Sequence, residues 1–261
     1  LELSAWGKNS IRARATLNRE FSDNPWALIS DRASAGEVEI RESQAVLRNG
    51  ELEATVSPRG RIRFLSRTLP SDSSPEKEAT KVLLEEVDWR PEHPHLLPLS
   101  REFVSLDSEL FRITARFVAY NGERFFGLGQ HRHGLLDQKG AVIELMQRNA
   151  EVCIPFLVSS RGYGFLWNNP SLGRVELGMN GTRWVAEASR QLDYLVMSGS
   201  TYAEILERYI EATGHAPLLP EWATGFWQSK LRYRTQSELL GVVEEYQRRG
   251  VPISVIVVDF F

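Results

Sequence analysis

Ile253-Ser254-Val255-Ile256-Val257-Val258-Asp259-Phe260-Phe261 is β-branched and almost uniformly apolar up to Val258. That is the pattern of a parallel strand covered on both faces, and here it delivers a carboxylate at its end. Upstream, Thr235 and Glu238 form a Thr-x-x-Glu capping box opening a helix, with Leu239, Leu240, Val243 and Tyr246 on its apolar face and Gly250 at its stop. Before the helix, Thr224-Gly225-Phe226-Trp227-Gln228 reads as a strand. Strand, helix and strand make one β-α-β unit, whose crossover is expected to be right-handed. A lone unit would leave open strand edges and an uncovered apolar face. The expectation is therefore a piece of a longer protein, running about one and a half units into a (β/α)8 barrel of about 250 residues. In such barrels chemistry sits at the C-terminal strand ends, where Asp259 falls.

The preceding residues change period. Thr201 and Glu204 form another capping box, and Tyr202, Ile205, Leu206, Tyr209 and Ile210 line one helical face before Gly214, with the linker His215-Ala216-Pro217-Leu218-Leu219-Pro220 beyond. From about residue 9 to 198 the spacing is two. Ile11–Ala15, Glu51–Val56, Arg61–Phe64, Phe111–Phe117, Phe156–Val158, Tyr163–Trp167, Arg174–Leu177, Arg183–Ala186 and Leu192–Val196 read as short strands. Asn49-Gly50 and Asn180-Gly181 supply turns, and Pro70–Glu78 reads as an exposed loop. The fold expected is thus an N-terminal antiparallel β-sandwich over 1–198, a helix and linker over 199–220, and the first β-α-β unit of a truncated barrel over 221–261.

The chain has 261 residues, 42% hydrophobic and 25% charged, the balance of an ordinary globular protein. With 31 Lys plus Arg against 34 Asp plus Glu, the net charge of −3 offers no basic field for nucleic acid. The most apolar stretch, Val251–Phe261, is far short of the ~20 residues a spanning helix needs, so no membrane partner is expected. The single cysteine, Cys153, excludes an internal disulfide and a cysteine-based zinc site, and Leu1-Glu2-Leu3-Ser4 lacks a signal pattern. A cytoplasmic setting fits.

Asp259 should emerge at the barrel mouth, to accept hydrogen bonds from substrate hydroxyls or to act as an acid or base; the alternative is a cap for a following helix. Phe260, Phe261 and Trp227, at strand ends, are candidates for an apolar platform under a sugar ring, with core packing the rival role. Lys230, Arg232 and Arg234 follow the first barrel strand, as mouth residues or as a solvated loop. His131-Arg132-His133 begins the pattern of a metal site but lacks a third ligand, so neither metal nor cofactor is expected. Gly127-Leu128-Gly129-Gln130 reads as a tight bend in the sandwich, and Cys153 as an inert core thiol. The loop of Arg148-Asn149 and Glu151 could reach toward another domain.

Together these motifs carry a resemblance. Gly225-Phe226-Trp227-Gln228-Ser229-Lys230-Leu231-Arg232-Tyr233, the capped helix, Gly250-Val251-Pro252-Ile253 and Val257-Val258-Asp259-Phe260-Phe261 resemble the start of the catalytic barrel of glycoside hydrolase family 31. Phe126-Gly127-Leu128-Gly129-Gln130, Ile154-Pro155-Phe156 and Arg161–Asn169 resemble the β-sandwich preceding it. The resemblance implies an α-xylosidase or α-glucosidase, xylose ahead of glucose, cleaving terminal α-linked sugars with retention through two carboxylates about 5 Å apart. It implies that both catalytic aspartates lie on later barrel strands absent from these residues, leaving the fragment itself inactive. By the same resemblance Asp259 binds a hydroxyl of the sugar in the cleaved subsite, Phe261 lies near the leaving group, and Lys230 tunes which sugar fits. The partner expected is an oligosaccharide, and a homo-oligomer of the full-length protein is admitted. The rivals are a non-catalytic carbohydrate-binding or interaction module on 1–198, and a truncation without function.

Overall fold

The computed structural model describes residues 1–29, 34–68, 79–88 and 99–260. The expected loop Pro70–Glu78 lies outside them. Two compact units divide between Gly214 and His215.

In the first unit, strands numbered in chain order form three antiparallel sheets. One orders β1 (Glu2–Ala5), β2 (Ser10–Ala15), β16 (Leu192–Ser198), β13 (Tyr163–Trp167), β12 (Val152–Ser159) and β10 (Phe125–Gln130). A second orders β11 (Val142–Leu145), β14 (Gly173–Leu177), β15 (Thr182–Ser189), β9 (Phe111–Phe117) and β8 (Arg101–Ser105). The third is a meander of β3 (Glu37–Arg41), β4 (Gln44–Asn49), β5 (Leu52–Val56), β6 (Ile62–Thr68) and β7 (Ala79–Glu85). The Glu86–Phe117 bridge and the Val87 N–H donating to Arg116 O at 3.1 Å join the second and third sheets. These two sheets face the first across one core.

Aromatic rings link the layers. Tyr194 of the first sheet meets Phe64 at 6.2 Å and Phe117 at 5.7 Å, edge on, while Phe165 stacks on Trp184 at 4.7 Å. Each such ring contributes beyond its buried area through the attraction of positive edge for negative face. The outer face of the first sheet is buried too. Helix α1 (Tyr202–Thr213), capped by Thr201 Oγ1 accepting from the Glu204 N–H, packs Ile205 and Ala212 against Trp6, Phe156, Leu195 and Met197. Phe156 and Tyr209 stack at 4.1 Å. The compact unit therefore runs through this helix to Gly214.

Gly127-Leu128-Gly129 bends within β10 rather than ending it. The register against β12 shifts between Gly127 and Gly129, whose φ angles are +111° and +93°. Leu128, between them, is fully buried. A Cβ at Gly129 would lie 1.9 Å from Val152 O, so glycine is required by contact as well as by φ.

Glu86 is completely buried between sheets, accepting the Ile62 N–H at 3.0 Å, with Arg101 Nε 3.5 Å away. Burial pushes its carboxyl up to about 7, against the opposing pull of Arg101 and the Ile62 amide. The native state therefore holds a proton that the unfolded chain has already released. Stability should fall as pH rises from about 4.5 to about 7, by about 3 kcal/mol over the window. Urea titrations across this range should show that slope in the wild type and a flatter profile in Glu86→Gln; equal slopes would contradict the assignment.

The second unit contains a short 3-10 turn at Glu221–Thr224, β17 (Trp227–Arg232), α2 (Gln236–Arg248) and β18 (Val255–Phe260), with β17 and β18 parallel. The expected strand Thr224–Gln228 is displaced: the turn ends at Gly225, and the strand runs on through Lys230 and Arg232, which therefore lie in it rather than after it. No helix among the described residues is long and apolar enough to cross a membrane.

Candidate functional site

Parallel register fixes which side chains share a face of the second unit. Trp227 pairs with Val255, Ser229 with Val257, Lys230 with Val258 and Arg232 with Phe260. Alternation then puts Trp227, Ser229, Leu231, Val255, Val257 and Asp259 on one face, and Gln228, Lys230, Arg232, Ile256, Val258 and Phe260 on the other.

Helix α2 makes its side-chain contacts with the second of these faces, at Gln228 and Lys230, while Val258 on it stays 68% exposed. Tyr246 Oη donates to Gln228 Oε1 at 2.6 Å, and Lys230 Nζ reaches Glu238 Oε1 at 2.5 Å. Glu238 is the capping-box acid: its N–H donates to Thr235 Oγ1 at 3.1 Å, and its Oε2 accepts the Arg234 N–H at 2.8 Å. The Lys230 hydrogen bond, then that of Arg234, holds the Glu238 carboxyl below its ordinary range. Lys230 thus anchors the helix start and also lies 5.5 Å from the Tyr233 ring, on the face opposite Asp259. Arg232 lies over Phe260, 5.3 Å from its centroid.

Asp259 is exposed at the C-terminal end of β18, on the face that α2 leaves open. Among the described residues no side chain hydrogen-bonds or ion-pairs with it. Trp227 shares that face but opens β17, so it stands at the other end of the strand pair. There it stacks on Trp222 at 6.1 Å and donates Nε1–H to Ala223 O. Phe261 lies outside the described residues. Of the four residues singled out for substrate, the structure leaves Asp259 alone at the strand's C-terminal end among those it describes. Leu231, unremarked in the sequence because it sits among polar residues, is its neighbour on the same face.

The remaining candidates lie in the sandwich. His131 and His133 stack at 5.7 Å, His131 Nε2 lies 2.8 Å from Leu128 O, and its Nδ1 is 3.9 Å from Glu151. They border a cavity of about 460 Å3 with Glu144 and Arg148. Among the described residues no three His, Cys, Asp or Glu side chains gather as metal ligands. The Arg148–Glu151 loop is tied to its own unit by Arg148 to Glu144 and Arg132 to Asn149 O. Cys153 is buried, and that burial raises its thiol.

Both units have counterparts among known proteins. Residues 1–176 match the glycosyl hydrolase 31 N-terminal galactose mutarotase-like domain, and residues 216–261 match the family 31 TIM-barrel domain. The chain belongs to glycosyl hydrolase family 31. It is 38% identical over 277 aligned positions to an uncharacterized family 31 glucosidase, ORF2, of Pseudescherichia vulneris, covering all of this chain and 50% of that protein. With an alpha-xylosidase of Saccharolobus solfataricus the identity is 43% over 159 residues, 58% of this chain and 22% of that one. A GH31 alpha-xylosidase from a soil metagenome, solved with xylose, superposes with a TM-score of 0.84 at 41% identity, over 99% of this chain and 39% of that chain. The chain thus spans half or less of the length of these relatives.

Proposed function

We propose that the chain supplies the sandwich and the opening barrel strands of a retaining α-glycosidase that removes terminal α-linked xylose, in preference to glucose, from oligosaccharides. The observation carrying this reading is the free Asp259 carboxylate at the C-terminal end of a parallel strand within a family 31 match. The similarity to α-xylosidases, one of them solved with xylose, favours the pentose.

In this reading Asp259 accepts charge-assisted hydrogen bonds from a sugar hydroxyl, and closure of the barrel around it excludes water and strengthens them. Phe261 borders the leaving group. Lys230 influences which sugar fits by positioning the loop after β17 through Glu238 and Tyr233. The two catalytic carboxylates lie outside these residues, so in this reading 1–261 alone does not cleave.

Retention is testable directly. Proton NMR of the full-length protein acting on an α-xyloside should show α-xylose forming first, with the β-anomer growing in by mutarotation. First appearance of β-xylose would mean inversion, with the carboxyl groups ~6.5–9.5 Å apart, and would overturn the mechanism.

A further inference from the structure

Strand β3 ends its sheet and pairs only with β4 among the described residues, so its outer edge is open. Its partner register, Val38 with Leu47 and Ile40 with Ala45, places both apolar side chains on the core-side face of the meander, in line with Ala54 and Phe64. Yet Val38 is 68% and Ile40 81% exposed. They overhang the first sheet, and with Leu1, Leu3 and Val56 they border an apolar hollow of about 260 Å3. Arg41 and Gln44 flank a two-residue turn as a paired position, so the backbone amides and carbonyls of Val38 and Ile40 point away from β4 toward the open edge.

The charges on this strand are self-complementary. In an antiparallel pairing of β3 with itself, centred on Glu39, Val38 meets Ile40 of the second copy and Glu37 meets Arg41, each contact occurring twice by symmetry. The outward backbone groups of Val38 and Ile40 fall opposite each other in this register. Glu39 meets its own mate, and each Glu39 is already neutralised by Arg41 Nε at 2.6 Å and Arg48 Nη1 at 3.1 Å. We propose that β3 is an interface between two copies of this chain, joining their meanders into one continuous sheet and merging the two apolar hollows beneath it. A strand edge that, among the described residues, is shielded by charges of both signs alone invites a partner carrying those charges in reverse order, which a second copy does.

Sedimentation equilibrium of the full chain from ~1 to ~100 μM tests this. The wild type should dimerise reversibly, and Ile40→Lys should be monomeric. Glu37→Arg and Arg41→Glu should each weaken the dimer about tenfold, because a single reversal creates two like-charge pairs across the axis. The double exchange Glu37→Arg with Arg41→Glu should restore it. This restoration separates the interface from damage to the strand, which a second substitution would only deepen. A monomer throughout the range, self-association unchanged in every variant, or a double exchange as weak as the single changes would each overturn the proposal.

Discussion

Asp259→Ala in the full-length protein is expected to lower kcat/KM on an α-xyloside by about 10³- to 10⁴-fold, some ~4–6 kcal/mol of transition-state stabilisation, with the melting temperature unchanged. The structural half rests on Asp259 having no partner among the described residues, so its removal breaks no contact within the strand pair and its helix. The kinetic half follows from the chemistry of sugar recognition. On the proposed role of Asp259, alanine would leave a sugar hydroxyl without its acceptor in a site that the completed barrel closes off from water. Asp259→Asn separates charge from shape, and should retain part of the loss because the amide oxygen still accepts. Unchanged kcat/KM in Asp259→Ala would remove this residue from the site.

Asp193→Ala should destabilise the first unit by about 3–5 kcal/mol. Asp193 is 1% exposed and accepts from Arg12 Nε at 2.9 Å, Arg12 Nη2 at 2.5 Å and Asn168 Nδ2 at 3.0 Å. Arg12, itself buried, also lies 5.1 Å from the centroid of Trp6. Alanine would strand the buried guanidinium uncompensated, whereas joint replacement of Arg12 and Asp193 by Met and Leu removes both charges together. The double variant should therefore be much nearer wild type than Asp193→Ala in urea midpoint. Equal losses in the two would show that the pair acts through packing alone.

How far the sequence discloses this architecture depends on what each strand faces. Phe111–Phe117 is legible because one of its faces meets the core and the other does not, so apolar and polar residues alternate. The strand Val152–Ser159 shows only its second half, since Pro155 interrupts the pattern. In Leu192–Ser198 every position is buried, so Asp193 stands out as a lone charge in an apolar run, the signal that a partner such as Arg12 must exist. Its partner lies 181 residues away, a separation that no local pattern reveals. The helix caps at Thr201 and Thr235 are legible because they are local: each Thr Oγ1 accepts the N–H of the Glu three residues on, whose carboxylate accepts the N–H of the residue before the Thr.

At the candidate site the limit is again one of register. Asp259 is legible from the apolar run before it. The opposite-face position of Lys230 and the far-end position of Trp227 depend on where β17 begins, and Ser229-Lys230-Leu231-Arg232 gives no apolar period to mark it. The polar strand residues follow from their neighbours: Lys230 is held by Glu238, and Arg232 lies over Phe260.

The most direct test of the central claim is the initial rate of the full-length protein on 4-nitrophenyl α-xyloside and 4-nitrophenyl α-glucoside, compared as kcat/KM. Cleavage with the xyloside preferred is the predicted result; turnover of neither substrate by a folded full-length protein would contradict the assignment of this chain to an α-glycosidase.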